Sequence, residues 1–174
     1  SAEAAEARFK GEEPGFIYSR YANPTVDMFE KRMCALEGAE DARATTSGMA
    51  AVTAAVLCSL KQGDHIVAAR ALFGSCRWVV ETLAPKYGIE CTLVDGRDLG
   101  AILVVDNVFS TPIFQKPLTL GADVVVYSAT KHIDGQGRCL GGIVLSSKEW
   151  IDKNLHEYHR HSGPGISPFN AWVL

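Results

Sequence analysis

The stretch VVVYSATKH, Val124–His132, joins an aliphatic run to a cluster of polar side chains. The run of valines favours a β-strand that helices cover on both faces. Ser128 and Thr130 share one face of an extended chain, and Lys131 follows at the carboxyl end, outside which open α/β sheets bind their ligands. Two hydroxyls beside an amine could hold an anion while the amine attacks a carbonyl group. A solvated lysine at a strand end is the simpler interpretation of this motif taken alone.

Helical and strand patterns alternate on both sides of this stretch. The helical patterns cover Pro24–Glu37, Gly48–Lys61 and Gly74–Tyr87. The strand patterns cover His65–Ala69, Cys91–Asp95, Ala101–Asp106, Asp123–Ser128 and Gly142–Ser147. This alternation predicts an α/β fold with a mostly parallel sheet and helices on both faces.

The composition of the 174 residues is that of a globular domain, with 47% apolar residues and a net charge of −3. The charge predicts neither nucleic acid nor an anionic membrane as a partner. The longest uncharged stretch, Ala44–Leu60, has 17 residues, several of them polar, whereas a membrane helix needs about 20 apolar ones. Five scattered cysteines and a glutamate-rich N-terminus predict a cytoplasmic protein without a disulfide framework, metal site or secretory signal.

Only GRDLG separates the strand pattern that ends at Asp95 from the one that begins at Ala101. Parallel neighbours need a crossover of about a dozen residues or more. Both patterns have the aliphatic composition of buried parallel strands, so we expect a segment to be missing between Leu99 and Gly100. The last residues, SPFNAWVL, lie in an uncapped apolar helical pattern, which also indicates a fragment.

A second motif, VVDNVFSTP at Val104–Pro112, places Asp106 at the end of an aliphatic strand. A carboxylate there is costly unless a cation or several hydrogen bonds satisfy it. The protonated ring nitrogen of pyridoxal 5′-phosphate (PLP) is one such partner. A capping role at the next helix explains Asp106 equally well.

A third motif, TTSGMAA at Thr45–Ala51, opens a helix with a turn of small residues, Ser47-Gly48. The free backbone N–H groups and the positive dipole end of such a helix can bind a phosphate. A simple serine N-cap is the alternative.

Three further side chains are candidates for ligand binding. Tyr18 and Arg20 lie on one face of an extended segment and could grip a phosphate together. Phe73 follows a strand, where its ring could stack on a flat cofactor. Solvation of the arginine and core packing of the phenylalanine are the alternatives.

Two other patterns carry little weight. The glycine-rich Gly135–Gly141 precedes a strand rather than a helix, which makes it a weak nucleotide loop. His156, His159 and His161 lack the spacing of a helical zinc site.

Four blocks occur in the order and spacing of one enzyme family. They are YSRYANPT at Tyr18–Thr25, SGMAA at Ser47–Ala51, VVDNVFSTP at Val104–Pro112 and YSATKHIDGQGRCLGG at Tyr127–Gly142. The chain thereby resembles the Cys/Met-metabolism PLP-dependent enzymes. The resemblance implies the large domain of PLP fold-type I, the aspartate-aminotransferase-like fold. Residues 1–23 would form an N-terminal arm that contacts the neighbouring subunit, and residues 24–174 would form the PLP-binding large domain.

The resemblance also implies a role for each candidate residue. Lys131 would form the Schiff base with PLP, Asp106 would pair with the pyridine nitrogen, and Phe73 would stack on the ring. The phosphate cradle would comprise Ser47, Gly48, Met49, Ser128 and Thr130. Tyr18 and Arg20 would reach into the neighbouring subunit's site. Because Phe73 lacks the hydroxyl of the tyrosine found in many relatives, proton transfer would fall on Lys131, helped by Tyr18.

The implied reaction is a γ-replacement that joins an amino-acid substrate to sulfide, in a homodimer within a homotetramer. A cystathionine synthase or γ-lyase reaction at the same site is one alternative. A non-catalytic α/β domain that binds a dinucleotide at the Ser47-Gly48 turn is another. The family also has a strand and helices at the Leu99–Gly100 junction and a smaller C-terminal domain beyond the position of Leu174, so we expect both to be absent here.

Overall fold

The secondary structure alternates between helices and strands in a computed structural model that describes residues 2–95 and 102–174. Its helices are α1 (Ala2–Phe9), α2 (Pro24–Glu37), α3 (Gly48–Leu57), α4 (Gly74–Trp78), α5 (Thr111–Phe114), α6 (Lys148–Trp150), α7 (His156–Ser162) and α8 (Pro168–Val173). Short π-helices continue or join them at Val79–Leu83 and Ile151–Leu155, and 3-10 helices do so at Ala84–Tyr87 and Pro117–Leu120. Its strands are β1 (Asp41–Thr45), β2 (His65–Ala69), β3 (Glu90–Val94), β4 (Val104–Asp106), β5 (Val124–Ser128) and β6 (Gly142–Ser146). None of the helices in the described ranges is long and apolar enough to span a bilayer.

The strands form a mixed sheet, which corrects the prediction of a mostly parallel one. Among the described residues, β1, β6, β5 and β4 lie side by side in that order, and β2 and β3 form a separate parallel pair. β4 runs parallel to β5, whereas β6 is antiparallel to both β5 and β1. The antiparallel course arises because the chain returns from β5 to β6 through residues 129–141 without a crossover helix. The predicted α/β class is confirmed.

Apolar layers cover both faces of β5, as its valine run predicts. Val125 and Tyr127 pack in one layer, with residues of α2 and α8. Val124 and Val126 pack in the other, with alanines of α3 and Ile151. The alternation of side chains along the strand sends successive residues to opposite layers, so helices are needed on both sides.

The predicted bounds of α2 are confirmed, and the local sequence explains them. The Asn23 side chain accepts hydrogen bonds from the N–H groups of Thr25 and Val26, at 2.9 and 3.4 Å. Pro24 occupies the first turn, where its missing N–H costs nothing. Gly38 ends the helix in the left-handed conformation, with φ of 84°.

Two strands depart from the sequence prediction. β1 was not predicted, because the segment DARAT has little intrinsic strand propensity and is held by pairing with β6. β4 is shorter than predicted and lies at the sheet edge, with Ile102 and Leu103 exposed before it. The proposed junction between Leu99 and Gly100 lies outside the described residues.

A buried hydrogen-bond network joins α2 to the ends of β4 and β5. The hydroxyl of Tyr127 donates to Glu37 Oε2 at 2.5 Å and accepts from Asn107 Nδ2 at 2.7 Å. Glu37 is fully buried, and burial raises the pKa of its carboxyl group although the hydrogen bond from Tyr127 lowers it. Asn107 follows Asp106, and Tyr127 precedes Ser128, so the network ties together the two strand ends that carry candidate residues.

We expect Tyr127→Phe to lower the free energy of unfolding by about 1–3 kcal/mol, because it leaves two buried polar groups without their shared partner. Urea denaturation measures this loss. Tyr87→Phe is the matched control, because Tyr87 is 59% exposed, and its effect should stay within about 0.5 kcal/mol. An equal loss in both variants would contradict the stabilising role of the network.

Candidate functional site

The candidate residues of the sheet collect at one edge, where the parallel strands β4 and β5 end. Asp106 is the last residue of β4 and lies opposite Val126, two residues before Ser128 at the end of β5. The antiparallel strand β6 begins at the same edge with Gly142, opposite Ser128. Parallel strands place their carboxyl ends together, so this edge has the location expected of a ligand site.

The amino end of α3 packs directly on this edge. Ser47 is the N-cap, and its Oγ accepts the N–H of Ala50 at 3.1 Å. A Cβ atom on Gly48 would lie 2.8 Å from both the Cα and Oγ atoms of Ser128, so no larger residue fits at this position. A Cβ atom on Gly142 would likewise lie 2.6 Å from Thr45 Oγ1. Glycine at both positions therefore brings the helix end into contact with the strand ends.

This close approach leaves an anion-binding arrangement at the start of α3. The N–H groups of Gly48 and Met49 belong to the first turn and have no intrahelical acceptors. The Ser128 hydroxyl lies beside Gly48. Backbone donors, a neighbouring hydroxyl and the positive end of a ten-residue helix together suit a phosphate group.

Lys131 lies at the start of the loop that follows β5. Its backbone N–H donates to Ser128 O at 3.2 Å, and the residue is exposed. Thr130 closes the loop, because its hydroxyl accepts from Gly141 N at 3.0 Å and its backbone N–H donates to Gly141 O at 3.3 Å. The Thr130 hydroxyl thus already has a backbone partner, while the backbone of Lys131 is joined to the Ser128 strand end.

Asp106 has weak hydrogen-bond donors and no ion pair among the residues that the structure describes. The Val108 N–H donates to Oδ1 at 3.2 Å, and the Cys76 thiol lies 3.9 Å from Oδ2. Partial desolvation raises the pKa of Asp106, and these two donors lower it. Burial, with the charge of Asp106, raises the pKa of the Cys76 thiol to about 11, so the thiol stays protonated as a donor. A carboxylate in this state favours a cationic partner.

Phe73 lies just before α4, and its side chain is 64% exposed. Cys76, three residues later, is buried and contacts Asp106, so α4 brings the Phe73 region to the same edge of the sheet. Gly74 beside it has open space where a side chain would be. An exposed ring at this place has room for a flat ligand.

Tyr18 and Arg20 lie elsewhere, in a cluster of rings and guanidinium groups against α7. The Arg20 guanidinium carbon is 5.3 Å from the ring centre of Tyr18 and 5.0 Å from that of Tyr21. Arg20 Nη1 donates to Arg160 O at 2.6 Å, and the Arg160 guanidinium stacks over Tyr21 at 4.1 Å. In the described part of the chain, no hydrogen bond, ion pair or ring contact joins Tyr18 or Arg20 to Lys131.

A cavity of about 210 Å³ adjoins this cluster, lined by Arg20, Glu30, Arg43 and His159 among others. Glu30 Oε1 accepts the N–H of Ala44 at 2.7 Å, and His159 Nε2 lies 2.9 Å from Ala44 O. Burial raises the pKa of Glu30 to about 7, although this N–H and Arg43 lower it. The sequence does not single out Glu30, because it lies on α2 among exposed charges and only the fold places it in a partly buried position.

Side chains of the glycine-rich segment and of the histidine cluster also have interaction partners in the structure. Arg138 of the glycine-rich segment pairs with Asp134, and β6 follows this segment, as predicted. His156 lies 3.4 Å from Arg43, whereas His161 lies 2.9 Å from Glu157. Among the described residues, no group of three or more His, Cys, Asp or Glu side chains could hold a metal ion.

Comparison with known proteins gives one family. The family model described as "Cys/Met metabolism PLP-dependent enzyme" matches residues 1–102 and 96–174. An O-succinylhomoserine sulfhydrylase of Mycobacterium tuberculosis is 45% identical over 213 aligned positions, which cover 100% of this chain and 52% of that protein. An L-methionine gamma-lyase of Porphyromonas gingivalis is 33% identical, over 100% of this chain and 54% of its own. The chain thus spans about half the length of these relatives.

Solved structures show the same fold. The crystal structure of metB from Corynebacterium glutamicum superposes with a TM-score of 0.86 at 32% identity. The match covers 92% of this chain and 52% of that chain.

We expect Gly48→Ala to lower the free energy of unfolding by about 1–3 kcal/mol, because the new methyl group would overlap Ser128 and push α3 from β5. Urea denaturation measures the change. Gly74→Ala is the matched control, since a Cβ atom there meets nothing within 4 Å. A neutral Gly48→Ala variant would show that the close contact between α3 and β5 is not required.

Glu30 should make stability fall as the pH rises. Its pKa increases from 4.5 to about 7 on folding, so the folded chain binds the proton more tightly and loses stability between these values. Glu30→Gln keeps an acceptor for the N–H of Ala44 and should flatten the pH dependence of the free energy of unfolding. Above pH 7 the variant should therefore gain stability relative to the wild type. Urea denaturation from pH 4.5 to 8 measures this slope. The exposed variant Glu12→Gln should keep the wild-type slope, and the same slope in Glu30→Gln would contradict the assignment.

Proposed function

The chain belongs to the Cys/Met metabolism PLP-dependent enzyme family, and on this premise we propose that it forms the cofactor-binding part of an O-succinylhomoserine sulfhydrylase. The identity of 45% to the sulfhydrylase of Mycobacterium tuberculosis, against 33% to a methionine gamma-lyase, supports this choice within the family. The proposed net reaction converts O-succinylhomoserine and sulfide to homocysteine and succinate.

The edge of the sheet fits PLP by the chemistry of its groups. The absence of a Cβ atom at Gly48 lets the start of α3, with its free N–H groups, lie directly beside the Ser128 hydroxyl, an arrangement that suits a phosphate. Asp106 is a carboxylate without an ion pair among the described residues, which suits a protonated ring nitrogen. Lys131 supplies an exposed amine for the aldehyde. This combination of three complementary groups at one edge is the observation that carries the proposal.

Each group would have a distinct task when PLP is bound. The start of α3 and the end of β5 would hold the phosphate, through residues Ser47, Gly48, Met49, Ser128 and Thr130. Asp106 would keep the ring nitrogen protonated, and the Phe73 ring would lie against the cofactor face. PLP itself would supply an electron sink for carbanions of the amino-acid substrate.

Lys131 would attach the cofactor and, once released by the substrate amine, move protons along the substrate. Phe73 has no hydroxyl to share this task, so Lys131 is the proposed acid and base. Tyr18 would assist, and with Arg20 it would act in the site of a neighbouring subunit. Their contacts lie against α7, where Arg20 donates to Arg160 O and lies over the Tyr18 ring.

The proposal includes the organisation of the whole protein. We propose a homodimer within a homotetramer in the cytoplasm, with residues 1–23 as the intersubunit arm and 24–174 as the large domain. The alignment of 213 positions against a chain of 174 residues supports a missing segment, and the family model matches residues 1–102 and 96–174 separately, which supports its placement between Leu99 and Gly100.

We expect the full-length protein to absorb near the visible edge and to be labelled by borohydride at Lys131. Lys131→Ala should lose this absorption, because no amine remains to attach the cofactor. Peptide mapping by mass spectrometry identifies the labelled residue, and Lys148→Ala, at an exposed lysine paired with Asp152, is the control. Persistence of the absorption in Lys131→Ala would refute the assignment. A colourless protein that binds NAD would instead support the dinucleotide-binding alternative.

Product analysis tests the reaction itself. Homocysteine formed from O-succinylhomoserine and sulfide, in excess over any cleavage of methionine or cystathionine, is the expected result. The 33% identity to a methionine gamma-lyase makes elimination the second candidate. Predominant release of a 2-oxo acid and ammonia would favour that candidate.

A further inference from the structure

An ion pair with a buried carboxylate lies inside the loop that carries Lys131. Asp134 Oδ2 accepts the backbone N–H of Arg138 at 2.5 Å, and Oδ1 accepts Arg138 Nε at 2.8 Å. The Asp134 side chain has 0% exposure, whereas that of Arg138 is 46% exposed. Burial raises the pKa of Asp134, but the side-chain and backbone hydrogen bonds of Arg138 outweigh it and lower the pKa below its ordinary value. A buried carboxylate with two donors from one residue is a specific contact, because loss of either partner leaves a charge unpaired.

Backbone hydrogen bonds join the segment at Asp134 to the backbone at Lys131. Asp134 N donates to Ala129 O at 2.9 Å, and Gly135 N donates to Lys131 O at 2.8 Å. Both backbone groups of Lys131 are therefore bonded, one to Ser128 and one to Gly135. The residues that make these turns directly flank the Asp134 carboxylate.

Arg138 also joins the loop to the rest of the fold. Its Nη2 atom donates to Asp134 O and to Val173 O, each at 3.3 Å. Val173 is the last residue of α8, which packs in the apolar layer below β5. The guanidinium thus connects the Lys131 turn to a helix that β5 already holds in place.

We propose that Asp134 and Arg138 are positioning residues that hold the Lys131 backbone so that its amine faces the candidate site. The proposal rests on the proposed function, since it concerns the lysine that attaches the cofactor. Neither residue needs to contact PLP or substrate in this role. The pair acts through Lys131.

The test measures how fast Lys131 captures PLP. Hydroxylamine removes the cofactor from the full-length holoenzyme, PLP is added back, and borohydride traps the product at intervals for peptide mapping. Asp134→Asn keeps an acceptor for the Arg138 N–H but removes the charge, and Arg138→Gln removes the other partner. Each should slow labelling of Lys131 by about tenfold, because small displacements of a reacting group have large effects on rate. The double variant should be no slower than the singles, since the two residues act together.

A matched control separates positioning from general loss of charge. Asp152→Asn breaks an i,i+4 ion pair with Lys148 whose side chains are 48% and 67% exposed, and it should label at the wild-type rate. The pH dependence of the cofactor absorption should shift in the Asp134 and Arg138 variants alone. A role confined to stability would lower the melting temperature but leave the pH dependence and the labelling rate of folded protein unchanged.

The outcomes distinguish the two proposals. Wild-type protein without label at Lys131 would refute the proposed function. Wild-type protein labelled at Lys131, with Asp134→Asn and Arg138→Gln labelled at the same rate, would refute only the positioning role. Arg138→Lys keeps the positive charge, and partial recovery of the rate in that variant would support the positioning role if Asp134→Asn fails to fold.

Discussion

Burial of β5 between two apolar layers is the constraint on which the rest of the structure depends. Successive side chains of Val124–Tyr127 face opposite layers, and each is at most 2% exposed. A shift of one residue along this strand would exchange the valines of one layer for the tyrosine of the other, and both layers would lose their packing. Ser128, the last residue of the strand, therefore takes its position from the core, and the loop that carries Lys131 starts from this fixed end.

Small residues and hydrogen bonds connect β5 to the neighbouring helices and strands. Gly48 and Gly142 let α3 and the strand ends meet at distances that a side chain would prevent. On the opposite side, the hydroxyl of Tyr127 joins Glu37 of α2 to Asn107 after β4. The candidate site is thus supported by close backbone packing on one face of the sheet and by a polar network on the other, although Phe73, Asp106 and Lys131 are themselves exposed.

The sequence predicts those parts of the fold that local patterns determine. α2, β2 and β5 have clear periodicity or caps, and the structure has them at or near the predicted bounds. The strand β1 depends on pairing with β6, and the mixed sheet depends on a return connection whose direction no local pattern encodes. Residue types at strand ends predict the location of Asp106, Ser128 and Lys131. Their supports are harder to predict: Cys76 is distant in sequence from Asp106, and the Asp134–Arg138 pair lies in a segment whose glycines suggest a nucleotide loop.

The segment from Tyr18 to Tyr21 is ordered by contacts within its own chain. Tyr18, Arg20 and Tyr21 stack together, and Arg160 of α7 holds them through a carbonyl group and a guanidinium plane. A segment that is already fixed loses little further conformational entropy when another surface covers it. The segment from Tyr18 to Tyr21 is therefore preorganised, and the free energy of any contact it makes is offset little by the cost of ordering it.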